Sequence, residues 1–184
     1  MARLREQFNK KIKKEIMKEL GYDNPMAVPT LEKIVVNVGA GDAVTNSNAL
    51  EEIVEMLALI TGQKPVVNKA KKAISAFKVR EGMEVGVSVT LRGDRMWEFF
   101  DKLVNVALPR TKDFRGLKPD SFDGAGNFSI GVDDHTVFVE IDPNKVARVR
   151  GLQVVIVTTA KTDKEGKILL DKFGFPFIEN VNRS

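Results

Sequence analysis

The chain has 184 residues, of which 43% are hydrophobic, and its formal net charge is +4. This apolar content supports a folded core and excludes an intrinsically disordered protein, and the length fits one domain. Cysteine is absent, which excludes a disulfide framework, a thiolate nucleophile and a cysteine-based zinc site. No stretch approaches the roughly 20 apolar residues of a membrane span, and the charged start from Arg3 onward does not resemble a secretory signal. We therefore expect a cytoplasmic protein without membrane contact.

Repeating hydrophobic spacings predict helices and strands that are interleaved along the chain. In the first helix an apolar residue recurs at every fourth position from Leu4 to Leu20, and Gly21 is a natural C-terminal stop. The second helix has a cap among residues 46–48, and the third is predicted to begin at an Asp94 N-cap and to end near Pro109. The predicted helices span residues 3–20, 47–61, 94–107 and 162–173, and the predicted strands span 31–38, 65–69, 85–92, 128–132, 137–141 and 152–159.

Several predicted strands alternate polar and apolar residues instead of being apolar throughout. The strand at 85–92 points Val85, Val87, Val89 and Leu91 to one side and Gly86, Ser88, Thr90 and Arg92 to the other. Such alternation is typical of an antiparallel or mixed sheet that is covered on one face. We predict a two-layer α+β fold, with helices on one face of a mostly antiparallel sheet and an open second face. The hydroxyl and cationic groups of Ser88, Thr90 and Arg92 on that flat face are of the kind that an RNA backbone needs, so we predict an RNA-binding face. The chain 1–184 is expected to form a single domain with a long basic loop at 69–84 and a second long loop at 108–127.

Charge is segregated along the chain. Residues 63–80 carry six Lys or Arg and no acid, 3–19 carry seven bases against three acids, and 110–118 carry four bases against one acid. Repulsion inside a basic block lowers stability, so such blocks usually face a polyanion, although any single block can be an ordinary solvated surface. Residues 119–142 instead contain six acids and no Lys or Arg.

A glycine turn admits a nucleotide-binding interpretation. Residues 39–42 (GAGD) follow a predicted strand, but Val44 stands where the dinucleotide fingerprint has its third glycine. The next helix also begins too late to aim its N-terminus at a pyrophosphate. A plain glycine turn is therefore favoured over a nucleotide-dependent enzyme, and phosphate contact by the backbone amides of the turn stays open.

Two further motifs admit a metal, and both have plainer interpretations. His135 lies among Asp133, Asp134 and Glu140, but a lone histidine in an acidic loop is more often solvated than a ligand. Residues 123–127 (DGAGN) lack the ligand spacing of a calcium loop and are better interpreted as turns.

No catalytic set can be written from these residues. The single histidine has no serine in a nucleophile-elbow pattern to activate, and nothing favours a carboxylate-based enzyme. We expect no enzyme activity, cofactor or metal. Phe77 lies among Lys72, Lys78 and Arg80, where it could stack on a base or ribose, or else anchor the loop on the sheet.

Five blocks of the sequence form a specific combination: residues 37–41 (NVGAG), 62–65 (GQKP), 90–100 (TLRGDRMWEFF), 108–117 (LPRTKDFRGL) and 121–127 (SFDGAGN). Together they resemble the bacterial family of large-subunit ribosomal protein number five, and the resemblance extends to the closing segment 173–177. It implies a structural protein that binds 5S rRNA and helps attach it to 23S rRNA. It also implies contacts with P-site tRNA, with neighbouring 5S-binding proteins of the large subunit, and with a small-subunit protein in an intersubunit bridge.

The resemblance implies three groups of contact residues. Asn37, Gln63 and Thr90 match family positions that lie against 5S rRNA. The strand pattern and the charge add four residues to that surface, namely Lys33, Lys64, Ser88 and Arg92. The loop implied to contact tRNA carries Lys71, Lys72, Phe77, Lys78 and Arg80. The region implied to approach 23S rRNA or the bridge carries Arg110, Lys112 and Arg115.

One loop departs from the family pattern. Relatives usually have Gly, an apolar residue and then Arg-Glu-Gln, and this chain has Asp133, Asp134 and His135 in place of Arg-Glu-Gln. Where relatives then have Phe-Pro-Glu-Ile, this chain has Val139 in place of the proline. A cation is therefore replaced by an anion. The acidic character of this loop suits a basic protein partner better than RNA.

Overall fold

The computed structural model describes residues 2–41, 48–112, 114–146 and 148–178. The helices are α1, with consecutive segments Arg3–Gln7, Phe8–Ile12 and Lys13–Leu20; α2, Asn48–Thr61; α3, with segments Gly93–Lys102, Leu103–Ala107 and Leu108–Arg110; and α4, Asp163–Lys172. The strands are β1 Leu31–Gly39, β2 Val66–Lys69, β3 Glu84–Leu91, β4 Phe128–Val132 and β5 Leu152–Thr158. Short 3₁₀ turns lie at Pro25–Ala27, Ser75–Phe77, Pro119–Ser121, His135–Val137 and Pro143–Lys145.

The five strands form one sheet in the order β2-β3-β1-β5-β4. β2 pairs antiparallel with β3, with Val66 opposite Ser88 and Asn68 opposite Gly86. Buried and more exposed residues alternate along β1, β3 and β5, so one face of each strand is packed and the other is open. The predicted α+β class, with an open antiparallel sheet, is confirmed.

The chain divides into two compact units. The first comprises Met1–Ile34, Arg92–Ile130 and Val155–Ser184, and the second comprises Val35–Leu91 and Gly131–Val154. The single domain predicted for 1–184 stays a prediction.

An aromatic cluster forms the core of the first unit. The ring of Phe8 on α1 lies 5.7 Å from that of Trp97 on α3 and 5.7 Å from that of Phe173 after α4. Phe100 meets Phe173 edge-on at 5.4 Å, and Phe128 meets Phe175 at 5.4 Å. Edge-on pairs are favoured by the aromatic quadrupole, so the cluster adds geometric specificity to apolar burial. The three aromatic residues of α3, Trp97, Phe99 and Phe100, are all buried.

The first helix contains a wider turn that keeps its apolar residues facing the core. In an α-helix of 3.6 residues per turn, residues spaced by four drift about 40° around the axis at each step. Leu4, Phe8, Ile12 and Ile16 follow this spacing, yet all are buried. The π-helical segment Phe8–Ile12 has more residues per turn and offsets the drift.

In the second unit α2 packs on β3. Ile53, Leu57 and Ile60 form its fully buried stripe. Gly62 follows the helix in the left-handed conformation (φ +65°), which is typical of a C-terminal stop. Residues 46 and 47 and the side chain of Asn48, the predicted cap candidates, lie outside the described residues.

One prediction about α3 is wrong. The helix begins at Gly93, and the carboxylate of Asp94 accepts a hydrogen bond from Arg5 at 2.6 Å instead of capping the helix. The helix ends at Arg110, close to Pro109 as predicted, and Pro109 itself lies within its last segment. A proline ring clashes with the carbonyl four residues earlier in a regular α-turn, and the wider segment Leu103–Ala107 before it removes that clash.

The strand predicted at 137–141 is not formed. The carboxylate of Asp134 accepts hydrogen bonds from the backbone N–H and the hydroxyl of Thr136, at 2.8 and 2.6 Å. These bonds start the 3₁₀ turn His135–Val137, and the backbone then folds back as Ile141 N–H bonds to the carbonyl of Phe138. Local side-chain bonding therefore outweighs the alternating apolar pattern.

Candidate nucleic-acid interface

Strand β3 presents the polar row that its sequence predicted. Val87, Val89 and Leu91 are buried, whereas Ser88 is half-buried and Thr90 is exposed. Hydroxyl groups on an open strand face can donate and accept hydrogen bonds without the orientation demands of a charged pair.

A side-chain bond joins two of the residues matched to the family's 5S-facing positions. Gln63 follows α2, and its Nε2 donates a hydrogen bond to the main-chain oxygen of Thr90 at 3.0 Å. The bond fixes the amide beside the end of β3, so the carbonyl oxygen of Gln63 and the hydroxyl of Thr90 are the groups that can face a ligand. Lys64 follows at an exposed position.

Close packing of β1 on β3 brings the third matched position to the same unit. Asn37 is half-buried on β1, and Ala40 N–H bonds to the carbonyl of Val85 at 3.0 Å. A Cβ added to Gly86 would lie 3.1 Å from the carbonyl oxygen of Val38. Gly86 therefore permits the close approach of the strand that carries Asn37.

Asn68 on β2 is a polar residue of this region that the sequence reasoning missed. Its Nδ2 donates a hydrogen bond to the hydroxyl of Ser88 at 3.0 Å, and the same hydroxyl lies 3.3 Å from Oδ1. The alternation of Val66, Val67 and Asn68 carried the signal, because Val66 and Asn68 must share a face.

Two of the three cations predicted to accompany the sheet, Lys33 and Arg92, lie in the first unit, and both have an acid beside them. Glu32 lies 3.8 Å from Arg92 and 4.0 Å from Lys33, measured from its Oε1 to the side-chain nitrogens. These are loose, solvent-exposed ion pairs, which contribute little stability. Part of the expected positive charge is therefore balanced, which the strand pattern did not reveal.

The basic loop at 69–84 is an ordered hairpin extension. Ala70 N–H bonds to the carbonyl of Met83 at 2.7 Å, and Gly82 N–H bonds to the carbonyl of Ala70 at 2.9 Å. At its tip, Ile74 and Val79 form a two-residue bridge around the turn Ser75–Phe77.

Side chains at the tip of this loop face outward. The lysines and arginine implied to contact tRNA are all exposed, namely Lys71, Lys72, Lys78 and Arg80. Phe77 is 74% exposed and Ile74 is 48% exposed, so Phe77 does not anchor the loop on the sheet. Lys78 has a positive φ of 55°, which is strained for a residue with a Cβ.

The other predicted cations lie in the first unit. Arg110 ends α3, and Arg110, Lys112 and Arg115 are all exposed. On α1, Lys10 pairs with Glu6 at 3.2 Å and Lys11 pairs with Glu15 at 3.8 Å. Acids of the same helix therefore offset part of the charge of its basic face.

The prediction of a solvated His135 is wrong. The residue is 4% exposed. Its backbone N–H bonds to the carbonyl of Arg150 at 3.2 Å, and its Nδ1 accepts a hydrogen bond from Arg150 N–H at 3.1 Å. The ring is buried because it pairs with a backbone segment fifteen residues away, which composition alone does not indicate.

Asp123 forms the turn that its sequence predicted. Its carboxylate accepts hydrogen bonds from Ala125 N–H at 2.9 Å, from Asn127 N–H at 3.1 Å and from the Asn127 side chain at 2.7 Å. These donors, the Asn127 side chain first, hold the pKa of Asp123 below its usual value.

The described ranges contain neither a cluster of metal-ligating side chains nor a membrane-spanning helix. These ranges contain no group of three or more His, Asp or Glu residues placed to hold a metal ion. In the same ranges, no helix is both long and apolar enough to cross a membrane.

Two family models match the chain. The model described as Ribosomal protein L5 matches residues 24–80, and the model of the C-terminus of the same ribosomal family matches residues 84–177. The chain is 54% identical over 176 residues to large ribosomal subunit protein uL5 of Anaeromyxobacter sp. (strain Fw109-5), covering 96% of this chain and 98% of that protein. It is 57% identical over 177 residues to uL5 of Macrococcus caseolyticus (strain JCSC5402), covering 96% and 99%.

These matches define a structural, non-enzymatic protein of the large ribosomal subunit. The chain belongs to the ribosomal protein L5 family, whose bacterial members are part of the cytoplasmic ribosome. The family resemblance that the five sequence blocks indicated is confirmed. The nucleotide-dependent enzyme suggested by the glycine turn is wrong; Asp42 of that turn lies outside the described residues.

Proposed function

We propose that this chain binds 5S rRNA with the open face of its sheet and holds it against 23S rRNA in the large subunit. The observation that carries the proposal is the hydrogen bond of Gln63 to Thr90, which joins two family-matched polar residues on an exposed strand end. Neutral donors and acceptors that are held in place can fix the register of an RNA strand, whereas mobile cations cannot.

Charge supplies the affinity that neutral contacts lack. Lys64 and the basic block that continues to Arg80 include no acid, so phosphates meet little repulsion there. Lys33 and Arg92 contribute less, because Glu32 lies beside both. Arg110, Lys112 and Arg115 are the proposed contacts of 23S rRNA, since all three are exposed.

The test is binding to 5S rRNA and to an unrelated duplex RNA of equal length, across a salt series. We expect a strong preference for 5S rRNA. Asn37→Ala with Thr90→Ala should lower it while the dependence of affinity on salt is unchanged, because neither residue binds a phosphate through charge. Asn105→Ala, which removes an exposed amide on α3, is the matched control. Equal affinity of the unmodified protein for both RNAs would show that the basic surface binds any polyanion.

The basic loop is proposed to contact P-site tRNA. Its exposed cations and the exposed Phe77 match the stacking and phosphate contacts of a folded RNA. Charge reversal at Lys72, Lys78 and Arg80 should impair tRNA binding to ribosomes that carry the variant and spare 5S rRNA binding. Reversal at Lys118, Lys161 and Lys164, which are also exposed, is the control. Equal loss of both activities in the loop variant would contradict this division of labour.

An acidic groove in the second unit is the proposed contact of a basic small-subunit protein. The groove has a volume of about 370 Å³ and combines carboxylates with the exposed Leu59 of α2. Its acidic lining residues are Glu52, Glu55, Glu140 and Asp142, and Arg148 and Arg150 also line it. Four carboxylates against two guanidiniums favour a cationic partner, as in other complementary interfaces.

Subunit association tests this contact. Glu52→Lys with Glu55→Lys should weaken association of large subunits carrying the variant with small subunits, measured by sedimentation. Asp23→Lys with Asp120→Lys makes the same change in charge at two exposed positions outside the groove and should leave association unchanged. Equal effects of the two pairs would indicate that the change in net charge, and not the groove, weakens association.

Neighbouring 5S-binding proteins of the large subunit are the other proposed protein partners.

A further inference from the structure

We infer that Val66, Asn68 and Ser88 form a ribose subsite, in which the amide–hydroxyl pair contacts a 2′-hydroxyl of bound RNA. The inference rests on the proposed binding of RNA to this face. It adds Asn68 and Val66, which the family motifs do not include, and it gives Ser88 a defined chemical task.

The geometry of the β2–β3 pair creates the subsite. β2 stands first in the strand order, so among the described residues one of its edges has no neighbouring strand. Val66 lies opposite Ser88, and Asn68 lies opposite Gly86. Because opposite residues share a face and glycine has no side chain, the Asn68 amide has room to reach diagonally to Ser88. The resulting Nδ2–Oγ distance is 3.0 Å.

The pair retains capacity for a further ligand. An amide offers two donors and one acceptor oxygen, and a hydroxyl offers one donor and two acceptor sites. The bonds between Asn68 and Ser88 use a part of this set, and both side chains are half-exposed. A neutral donor and a neutral acceptor therefore stand side by side on the open face.

This combination suits a ribose better than a phosphate. A 2′-hydroxyl both donates and accepts hydrogen bonds, and it is the group that distinguishes RNA from DNA. A phosphate only accepts, and is better matched by the exposed Lys64, which precedes β2, and the exposed Lys69 at the end of β2. Val66 is 65% exposed beside the pair and offers an apolar surface to the carbons of the sugar.

The experiment compares affinities of the full chain for 5S rRNA and for the same sequence with 2′-deoxy sugars. Asn68→Ala should weaken binding of the RNA about three- to tenfold, as expected for one lost hydrogen bond. It should change binding of the deoxy form much less, and the dependence on salt should stay the same because no charge is lost. Asn105→Ala is the matched control and should alter neither affinity.

Further variants separate the subsite from a purely structural cross-strand pair. Ser88→Ala should reproduce the loss, and the double variant should lose less than the product of the two single losses, because both remove one shared contact. Val66→Ala, which keeps the amide–hydroxyl pair, should cost about two- to threefold in RNA affinity and stays informative if the Asn68 variant unfolds.

The outcomes distinguish this inference from the proposed function. If the unmodified protein shows no preference for 5S rRNA, the proposed function itself fails. The ribose subsite is overturned if the unmodified protein prefers 5S rRNA but Asn68→Ala and Val66→Ala weaken binding of the RNA and the deoxy form equally. It is also overturned if these variants weaken binding of neither form. In both cases the Asn68–Ser88 pair serves only to stabilise the hairpin. Selective loss for the RNA form supports the subsite.

Discussion

The two long loops of this chain differ in what they do with their apolar side chains. The loop at 108–127 packs the ring of Phe122 in the first unit, whereas the loop at 69–84 exposes its large apolar side chains. In the basic loop at 69–84, backbone hydrogen bonds order the turn while the side chains of Ile74 and Phe77 face outward. An apolar group that a protein exposes among cations is available to a partner, and one buried in its own core is not.

Several independent contacts fasten the loop at 108–127. Leu117 N–H bonds to the carbonyl of Pro176 at 2.8 Å, and Ile178 N–H bonds to the carbonyl of Leu117 at 3.0 Å. The ring of Phe122 lies 4.8 Å from that of Phe128. Gly126 is buried, and its carbonyl accepts a hydrogen bond from the Thr158 hydroxyl at 2.8 Å. The apolar side chains and backbone of this loop therefore belong to the scaffold, while its cations Arg110, Lys112 and Arg115 stay exposed.

The strongest test of that fastening is Gly166→Ala in α4. A Cβ at Gly166 would lie 2.6 Å from the carbonyl oxygen of Gly126 and 3.0 Å from its Cα, so backbone must move. We expect the free energy of unfolding to fall by about 2 to 3 kcal/mol, measured by urea titration. Gly131→Ala is the control, since nothing lies within 4 Å of its added Cβ. A loss under about 0.5 kcal/mol, the range of neutral surface changes, would show that the loop and α4 separate easily.

Replacing one phenylalanine in each loop compares them directly. Phe122→Ala should lower the free energy of unfolding by about 2 kcal/mol, because the half-buried ring packs on Phe128. Phe77→Ala should change it by less than about 0.5 kcal/mol, because that ring is 74% exposed. Thermal unfolding monitored by circular dichroism measures both. Comparable losses would mean that the basic loop is also part of the core.

Relief of backbone strain at the tip of the basic loop should raise the free energy of unfolding slightly, whereas the previous two changes lower it. Lys78 holds a left-handed φ of 55°, which glycine adopts freely. Lys78→Gly removes that strain but increases the entropy of the unfolded chain, so we expect the free energy of unfolding to rise by about 0.5 kcal/mol or less. Slower amide exchange at Ile74 and Val79, whose backbones pair across the turn, would show that the turn has become more stable. Faster exchange there would mean that the lysine side chain stabilises the turn.

Local patterns in the sequence predicted the scaffold well. Period-two alternation located β3 and its open face, and spaced apolar residues located the helices, because both signals lie within one element. The residues matched to family motifs could be placed for the same reason: each stands at a strand end or a glycine turn that the pattern already marked. Gln63 and Thr90 accordingly meet in the structure.

Contacts between distant segments were beyond such patterns. Glu32 offsets Arg92 across sixty residues of sequence. His135 is buried where it bonds to the backbone of Arg150. The carboxylate of Asp134 bonds to Thr136 and starts a 3₁₀ turn, so the strand predicted at 137–141 does not form. Each of these depends on which segments become neighbours in the fold, and a single sequence carries no local record of that.

The smallest predicted effect concerns pH, and it also separates the two loops. The pKa of Asp123 is lowered, chiefly by the Asn127 side chain and then by Ala125 N–H. A carboxyl whose pKa is lower in the folded state stabilises the fold above its unfolded pKa, about 3.9 for Asp, and this stabilisation is lost as the pH falls through the folded value. Asn127→Ala should therefore raise the pKa of Asp123 towards 3.9, measured by NMR titration.

The backbone amide signals of residues 75–77 should show no transition in that pH window, because residues 63–80 contain no acid. A shared transition would mean that protonation in the loop at 108–127 also changes the basic loop.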